Sequence, residues 1–351
     1  MGNAQAKARK LGESLPQKKT EGTYDRVIGE DKSMSAQAEI ARGIKRPIQM
    51  YPMFENALRA HLGETITEHV DRVSALWSRF SAEAENNPDA WISEAKTKTE
   101  ISSAGPSNRM ISFPYPKLMN SNNSVDMSAA IILCSLKKAK SLGIDQSKWV
   151  FPWVGTEAND KHFVSERENL YSSPAIRIAG RRAMELVGLS PDEIDLVDLY
   201  SCFPSAVQIA ARELSFSLDR PLTVTGGLTF GGGPLNNYVM HSISRMVTLL
   251  REDRNKKGLI TANGGFLTKH SFGIYSATPP IRDFQYENLQ AEVDKMPTRE
   301  MAAYYEGPAT LESYTVMFKN DKPEIGHCAC LTSEGKRTWA NITDISVLNL
   351  M

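Results

Sequence analysis

Residues 196–234 constrain this chain more than any other stretch. They run Leu196-Val197-Asp198-Leu199-Tyr200-Ser201-Cys202-Phe203-Pro204-Ser205, pass through a helix-like segment, and resume as Thr223-Val224-Thr225-Gly226-Gly227-Leu228-Thr229-Phe230-Gly231-Gly232-Gly233-Pro234. A short apolar run ending in a polar cluster is how a buried parallel strand delivers side chains to the edge of a sheet. Residues 206–214 carry apolar side chains at helical spacing. The second run breaks into five glycines within eight residues, where the backbone can take positive φ and approach a ligand closely. Another helix is predicted from Asn236-Asn237, with Ile243, Met246, Val247 and Leu250 along it. Strand, polar turn, helix, glycine turn and helix make an α/β architecture with a site at the strand ends.

The rest of the chain is read around that unit. Residues 1–45 are polar and Lys-rich, with Pro16, Gly22 and Gly29 as breakers, and only residues 4–11 read as a helix. Residues 47–60 and 68–85 read as helices, the second with Val70, Val73, Leu76, Trp77 and Phe80 on one face. His61 and His69 flank a turn at Gly63 and read as surface or capping residues. Residues 108–123 form a fixed irregular segment rich in Pro and Asn. Residues 125–136 are largely apolar, and Cys134 among them reads as a core residue. A strand at 149–155, a helix at 174–187 stopped by Gly188, and strands at 258–262 and 271–276 follow. From Asp283 onward the pattern changes to short alternating runs at 312–318, 324–332 and 336–342, separated by turn signals. These predict a small β-barrel-like domain or curled sheet, with too few basic and aromatic residues to bind nucleic acid.

Composition narrows the partners. With 41 basic and 41 acidic residues, nothing draws the chain to nucleic acid or an anionic membrane. No apolar run approaches the roughly 18 residues of a membrane span, and the Lys-containing N-terminus lacks a signal-peptide core. The four cysteines, at 134, 202, 328 and 330, lack metal-site spacing and read as reduced thiols. The expectation is a cytoplasmic protein with no metal and no bound cofactor.

Tyr200-Ser201-Cys202-Phe203, the loop from Gly226-Gly227 to Gly232-Gly233-Pro234, and Gly258-Leu259-Ile260-Thr261-Ala262-Asn263-Gly264-Gly265 together resemble the thiolase superfamily, and most closely its thiolase-like proteins of type 1, which are often called acetyl-CoA acetyltransferases. The first motif stands where thiolases carry Asn-Glu-Ala-Phe, the second matches their Gly-Gly…Gly-His-Pro loop, and the third their Cys-x-Gly-Gly loop. What the resemblance implies is a thiolase-like layered fold with a truncated N-terminal half and helical cap at 1–148, a C-terminal half at 149–282, and an additional C-terminal domain at 283–351. Gly2-Asn3-Ala4-Gln5 falls just after the thiolase block that carries the nucleophilic cysteine. Either the chain belongs to a longer protein or it functions without that block.

The same resemblance implies acyl transfer on a CoA thioester, with CoA thioester as substrate or ligand and a role in lipid metabolism. The usual catalytic residues are replaced, the loop histidine by Gly233 and the second cysteine by Ala262. Cys202, at a strand end near a helix N-terminus, is the remaining nucleophile candidate. His270 is the acid/base candidate and Tyr200 an oxyanion donor. Gly226, Gly227, Gly231, Gly232, Gly233, Asn263, Gly264 and Gly265 are the candidate substrate-binding positions. Two readings stay open: an acyltransferase completed by an upstream segment or partner, and a catalytically degenerate CoA- or acyl-binding or assembly module. Either would fit a homo-oligomer or partner subunit covering the truncated half.

Overall fold

The computed structural model describes residues 2–13, 15, 22, 23, 25–27 and 30–351; Pro16 and Gly29, two of the expected breakers, lie outside them. In chain order the elements are α1 (Gly2–Lys10), α2 (Gln37–Ala41), α3 (Pro47–Leu62), α4 (Ile66–Glu85), α5 (Lys98–Ser102), β1 (Met110–Ser112), β2 (Tyr115–Pro116), α6 (Leu136–Ser141), β3 (Phe151–Asn159), α7 (Pro174–Leu186), β4 (Leu196–Asp198) and α8 (Pro204–Leu214). They continue with α9 (Gly227–Phe230), α10 (Tyr238–Glu252), β5 (Lys257–Gly264), β6 (Lys269–Ser276), β7 (Gln285–Asn288), α11 (Gln290–Val293), β8 (Ala309–Lys319), β9 (Lys322–Thr332), β10 (Arg337–Ile342) and α12 (Ile345–Leu348).

Two five-stranded sheets organise the chain, in the orders β4-β5-β6-β3-β7 and β10-β9-β8-β1-β2. In the first, β4 runs parallel to β5, and β5 and β3 flank β6 antiparallel. Alternate residues of a strand face opposite sides. Leu259, Phe272 and Ile274 therefore enter the main core with α7 and α8, while Ile260 and Tyr275 pack with Met246 and Leu250 of α10. Covered on both faces, the sheet brings the ends of β3, β4 and β5 to one edge.

The helical cap forms for reasons visible in its spacing. Val73, Leu76, Trp77, Phe80 and Ala84 line the buried side of α4, and Thr65 with Glu68 closes its N-terminus as a reciprocal cap. Position 69 was expected at the surface, but His69 is buried. Its Nε2 lies 2.6 Å from Glu55 on α3 and its Nδ1 2.6 Å from Glu64, both carboxylates being brought in by the α3–α4 hairpin.

The C-terminal strands take the sheet form of the expectation rather than a closed barrel. They form an open antiparallel sheet whose remaining strands come from residues 110–116, joined where Ser112 sits opposite Met317 and the Phe113 N–H donates to Val316. Arg337, fully buried, grips Glu312 through two bonds of 2.6 and 2.7 Å and donates to the Val164 and Ser165 carbonyls, fastening this sheet to the β3–α7 connection. A second expectation also changes. Residues 123–135 form no helix or strand, and Cys134 is exposed rather than in the core, because among the described residues no strand pairs with the segment that carries it.

Candidate functional site

A cavity of about 410 Å³ opens at the C-terminal ends of β3, β4 and β5 and the start of β6. Glu157 and Asn159 come from β3, Tyr200 from the turn after β4, Ala262 to Gly264 from β5, Lys269 to Ser271 from β6, and Leu235, Asn236, Tyr238 and Val239 from the start of α10. The Tyr200 ring meets Tyr238 edge-on at 5.4 Å. Burial keeps the Tyr200 hydroxyl well above its ordinary pKa, so it is a hydrogen-bond donor across the neutral range.

Pairing register separates the three catalytic candidates. Asn263 stands directly opposite His270, so both side chains leave the same face of the sheet. That face is the core side: the Asn263 amide donates to the Tyr51 hydroxyl at 3.0 Å and reaches the Cys202 sulfur at 3.7 Å. Tyr200 leans on Tyr238 of α10 and packs against the core that also holds Cys202, whose charge would add to the rise in its pKa. Among the described residues no hydrogen bond joins the side chains of Cys202, His270 and Tyr200 to one another.

Cys202 is buried, and burial pushes its thiol up to about 12 against the pull of Tyr51 and the neighbouring main-chain N–H groups. The thiolate expected from its place before α8 is therefore not favoured, because desolvation outweighs the helix terminus. His270 also departs from expectation. It is a buried strand residue rather than a loop-mouth one, with Nε2 3.5 Å from Asp160. Burial alone would raise Asp160; His270, Arg167 and Ser173 hold it below the usual carboxylate value. Asn263 Oδ1 and His270 Nε2 are buried without hydrogen-bond partners.

The glycine loop is shaped by packing. A Cβ on Gly226, at φ +91, would come within 2.3 Å of Ala84, and one on Gly227 within 2.6 Å of the Ser201 hydroxyl. Ser201 in turn accepts the Leu228 N–H at the start of α9. Gly231 folds against the Thr225 carbonyl, and Gly231 and Gly232 line a second cavity, of about 320 Å³, with Met127, Asn87 and His241. Gly233 donates its N–H to Asn122. Of the second loop, Gly264 borders the first cavity and Gly265, at φ +68, turns the β5–β6 hairpin.

Sequence reasoning missed what holds the site together. Asp198, fully buried at the end of β4, accepts from Thr223, the Val224 N–H, Tyr238 and Ser242, tying strand, glycine loop and α10 into one unit. A carboxylate within the apolar run Leu196-Val197-Asp198-Leu199 was the signal available. Among the described residues no group of three or more His, Cys, Asp or Glu is placed to hold a metal ion, and no helix is long and apolar enough to cross a membrane.

Comparison with known proteins follows the same lines. Residues 288–351 match the family described as "Thiolase-like protein type 1 additional C-terminal domain". The chain is similar to the crystal structure of a monomeric SCP2-thiolase like protein type 1 from Mycobacterium smegmatis, at 31% identity and TM-score 0.81, over 90% of this chain and 70% of that one. The acetyl-CoA acetyltransferase of Methanothermobacter thermautotrophicus is 24% identical over 265 residues, 70% of this chain and 65% of that protein. That of Methanocaldococcus jannaschii is 21% identical over 160 residues, 40% of this chain and 41% of that protein. The matches to these curated relatives thus span less than two thirds of their length.

Proposed function

This chain belongs to the thiolase-like protein type 1 family, and from that membership we propose that it binds an acyl-CoA thioester at the strand-end cavity without forming an acyl-cysteine of its own. One observation carries the reading: among the described residues no cysteine borders the cavity. Cys202 is buried behind Asn263 with its thiol pushed up to about 12, and Cys328 and Cys330, both raised by burial, belong to the other sheet. Cys134 lies in the segment between Asn123 and α6.

The cavity's chemistry suits a thioester. The Tyr200 hydroxyl donates to a carbonyl oxygen, and Lys269 supplies a positive charge at the rim for an anionic carrier. Asn159 and Ser271 add polar groups on the same wall. The proposal includes a cytoplasmic role in acyl-group or lipid metabolism with no resident cofactor. The names of the archaeal relatives support the CoA thioester; the absence of a nearby thiolate argues against covalent transfer by this chain alone.

A second reading, acyl transfer completed by an upstream segment or a partner chain, is favoured by the unpaired segment that precedes α6. Calorimetric titration with acetyl-CoA tests the first. Wild type should bind saturably, and Tyr200→Phe should weaken binding up to about tenfold, the loss of one hydrogen bond. Failure of wild type to bind acetyl-CoA or CoA at millimolar concentration would overturn it.

A further inference from the structure

The second cavity, of about 320 Å³, is lined by the turn after α4, the first turns of α10 and residues 127–130. Most polar groups on its wall are spent inside the protein. The Asn87 side chain donates to the Thr225 carbonyl and accepts the Asp89 N–H, and the Tyr238 hydroxyl bonds Thr225 and donates to Asp198. Two groups are left over. His241 and Arg245 both line the cavity, and His241 Nε2 and Arg245 Nε are buried with no hydrogen-bond partner. The two residues stand four apart on α10, on one helix face, with Cβ atoms about 5–6 Å from each other.

Buried polar groups are normally hydrogen-bonded, so two orphans on one wall point to a partner from outside the chain. Their chemistry says which. Arg245 Nη2 already donates to the Asn86 carbonyl at 2.9 Å, and among the described residues no carboxylate forms an ion pair with this guanidinium. What stays buried and unmet is the Nε–H. Burial lowers the His241 pKa and Asp89 only partly restores it, which leaves the imidazole neutral at pH 7 with one ring N–H to give. Two N–H donors at this spacing match the two oxygens of one carboxylate.

Charge and lining fix the rest. Arg245 and Asp89 place one charge of each sign on the wall, and Glu83 nearby has its carboxyl raised by burial although Arg245 pulls it down. One negative charge suits that balance, whereas a phosphate dianion would crowd Asp89. The start of α10 adds a field that favours an anion. Met127, Ala129 and Ala130 supply an apolar side. The volume is at the low end of ligand pockets, which run from roughly 300 to 1,000 Å³. We infer that this cavity binds a short aliphatic carboxylate, one oxygen on the Arg245 Nε–H and the other on the His241 Nε2–H. The site is separate from the strand-end cavity and does not rest on thioester binding there, although Tyr238 stands in the wall of both.

The test titrates the full chain with sodium butyrate and, separately, with inorganic phosphate, following ligand signals and the His241 ring nitrogens by NMR. Butyrate should saturate and shift the His241 nitrogens, and phosphate should leave them in place. Arg245→Lys, which keeps the charge and removes the Nε–H, and His241→Gln should each weaken butyrate at least tenfold. Acetyl-CoA affinity of both variants should stay at the wild-type value, whatever that value is, so this result is read independently of the strand-end cavity. A cavity that holds water only, with no saturation by butyrate, would overturn the inference. So would phosphate binding as tightly as butyrate, or butyrate binding that survives either substitution.

Discussion

Strand β5 and the segment at 127–135 are written in much the same alphabet and end in opposite situations. Leu259 and Ile260 of β5 are buried, one on each face of a covered sheet, whereas Ile132 and Leu133 stand in solvent. Local sequence does not separate the two runs. β5 has β4 and β6 beside it and α7, α8 and α10 above and below, and the segment has none of these. Burial is thus a property of the neighbours a run finds and not of the run's own composition.

Paired truncations sharpen that contrast most. Leu259→Ala should cost about 3 kcal/mol or more through the cavity it leaves, and Leu133→Ala should stay within about 0.5 kcal/mol as a surface change. Urea denaturation of both variants measures this; equal losses would break the distinction.

The glycines come next. Gly226→Ala forces a side chain into positive φ and against Ala84, and should cost about 2–4 kcal/mol from strain and overpacking. Gly264→Ala meets only ordinary contacts, the nearest atom at 3.6 Å, and should fold like wild type. A thermal melt of each distinguishes a loop made of glycine for packing from one kept open for a ligand.

A smaller effect comes from the buried cap. Burial alone would lower His69, but Glu55 and Glu64 outweigh it and raise its pKa above 6.5. The stability it contributes is therefore complete below pH 6.5 and lost as pH rises through the raised value. Glu64, held down to about 2 chiefly by Arg72, contributes stability above pH 4.5 that is lost as pH falls toward 2. Melting temperature should thus be highest between about pH 4.5 and 6.5 as far as this cluster is concerned. His69→Gln should flatten the decline on the alkaline side; an unchanged slope would remove His69 as its source.

The β4–α8–α10 unit was legible because apolar periodicity and punctuation by glycine and proline are local signals. The C-terminal strands were legible in position but not in partnership, since nothing near Ser112 or Met317 announces that they will pair. The site was harder for the same reason. Whether Cys202 is a thiolate depends on Tyr51 and the surrounding core, and whether His270 meets Tyr200 depends on which face of β6 it leaves. A one-residue alternation decides that, and strand register is fixed by the whole sheet. Asp198 and the Glu55–His69–Glu64 cluster are each assembled from residues distant in sequence, so single positions gave little notice.

The central claim is that the cavity receives a thioester with no cysteine of this chain to attack it. Intact-protein mass spectrometry after incubation with saturating acetyl-CoA, beside calorimetry on the same sample, tests it directly. The account predicts saturable binding with the protein mass unchanged; a stoichiometric gain of one acetyl group on Cys202 would contradict it.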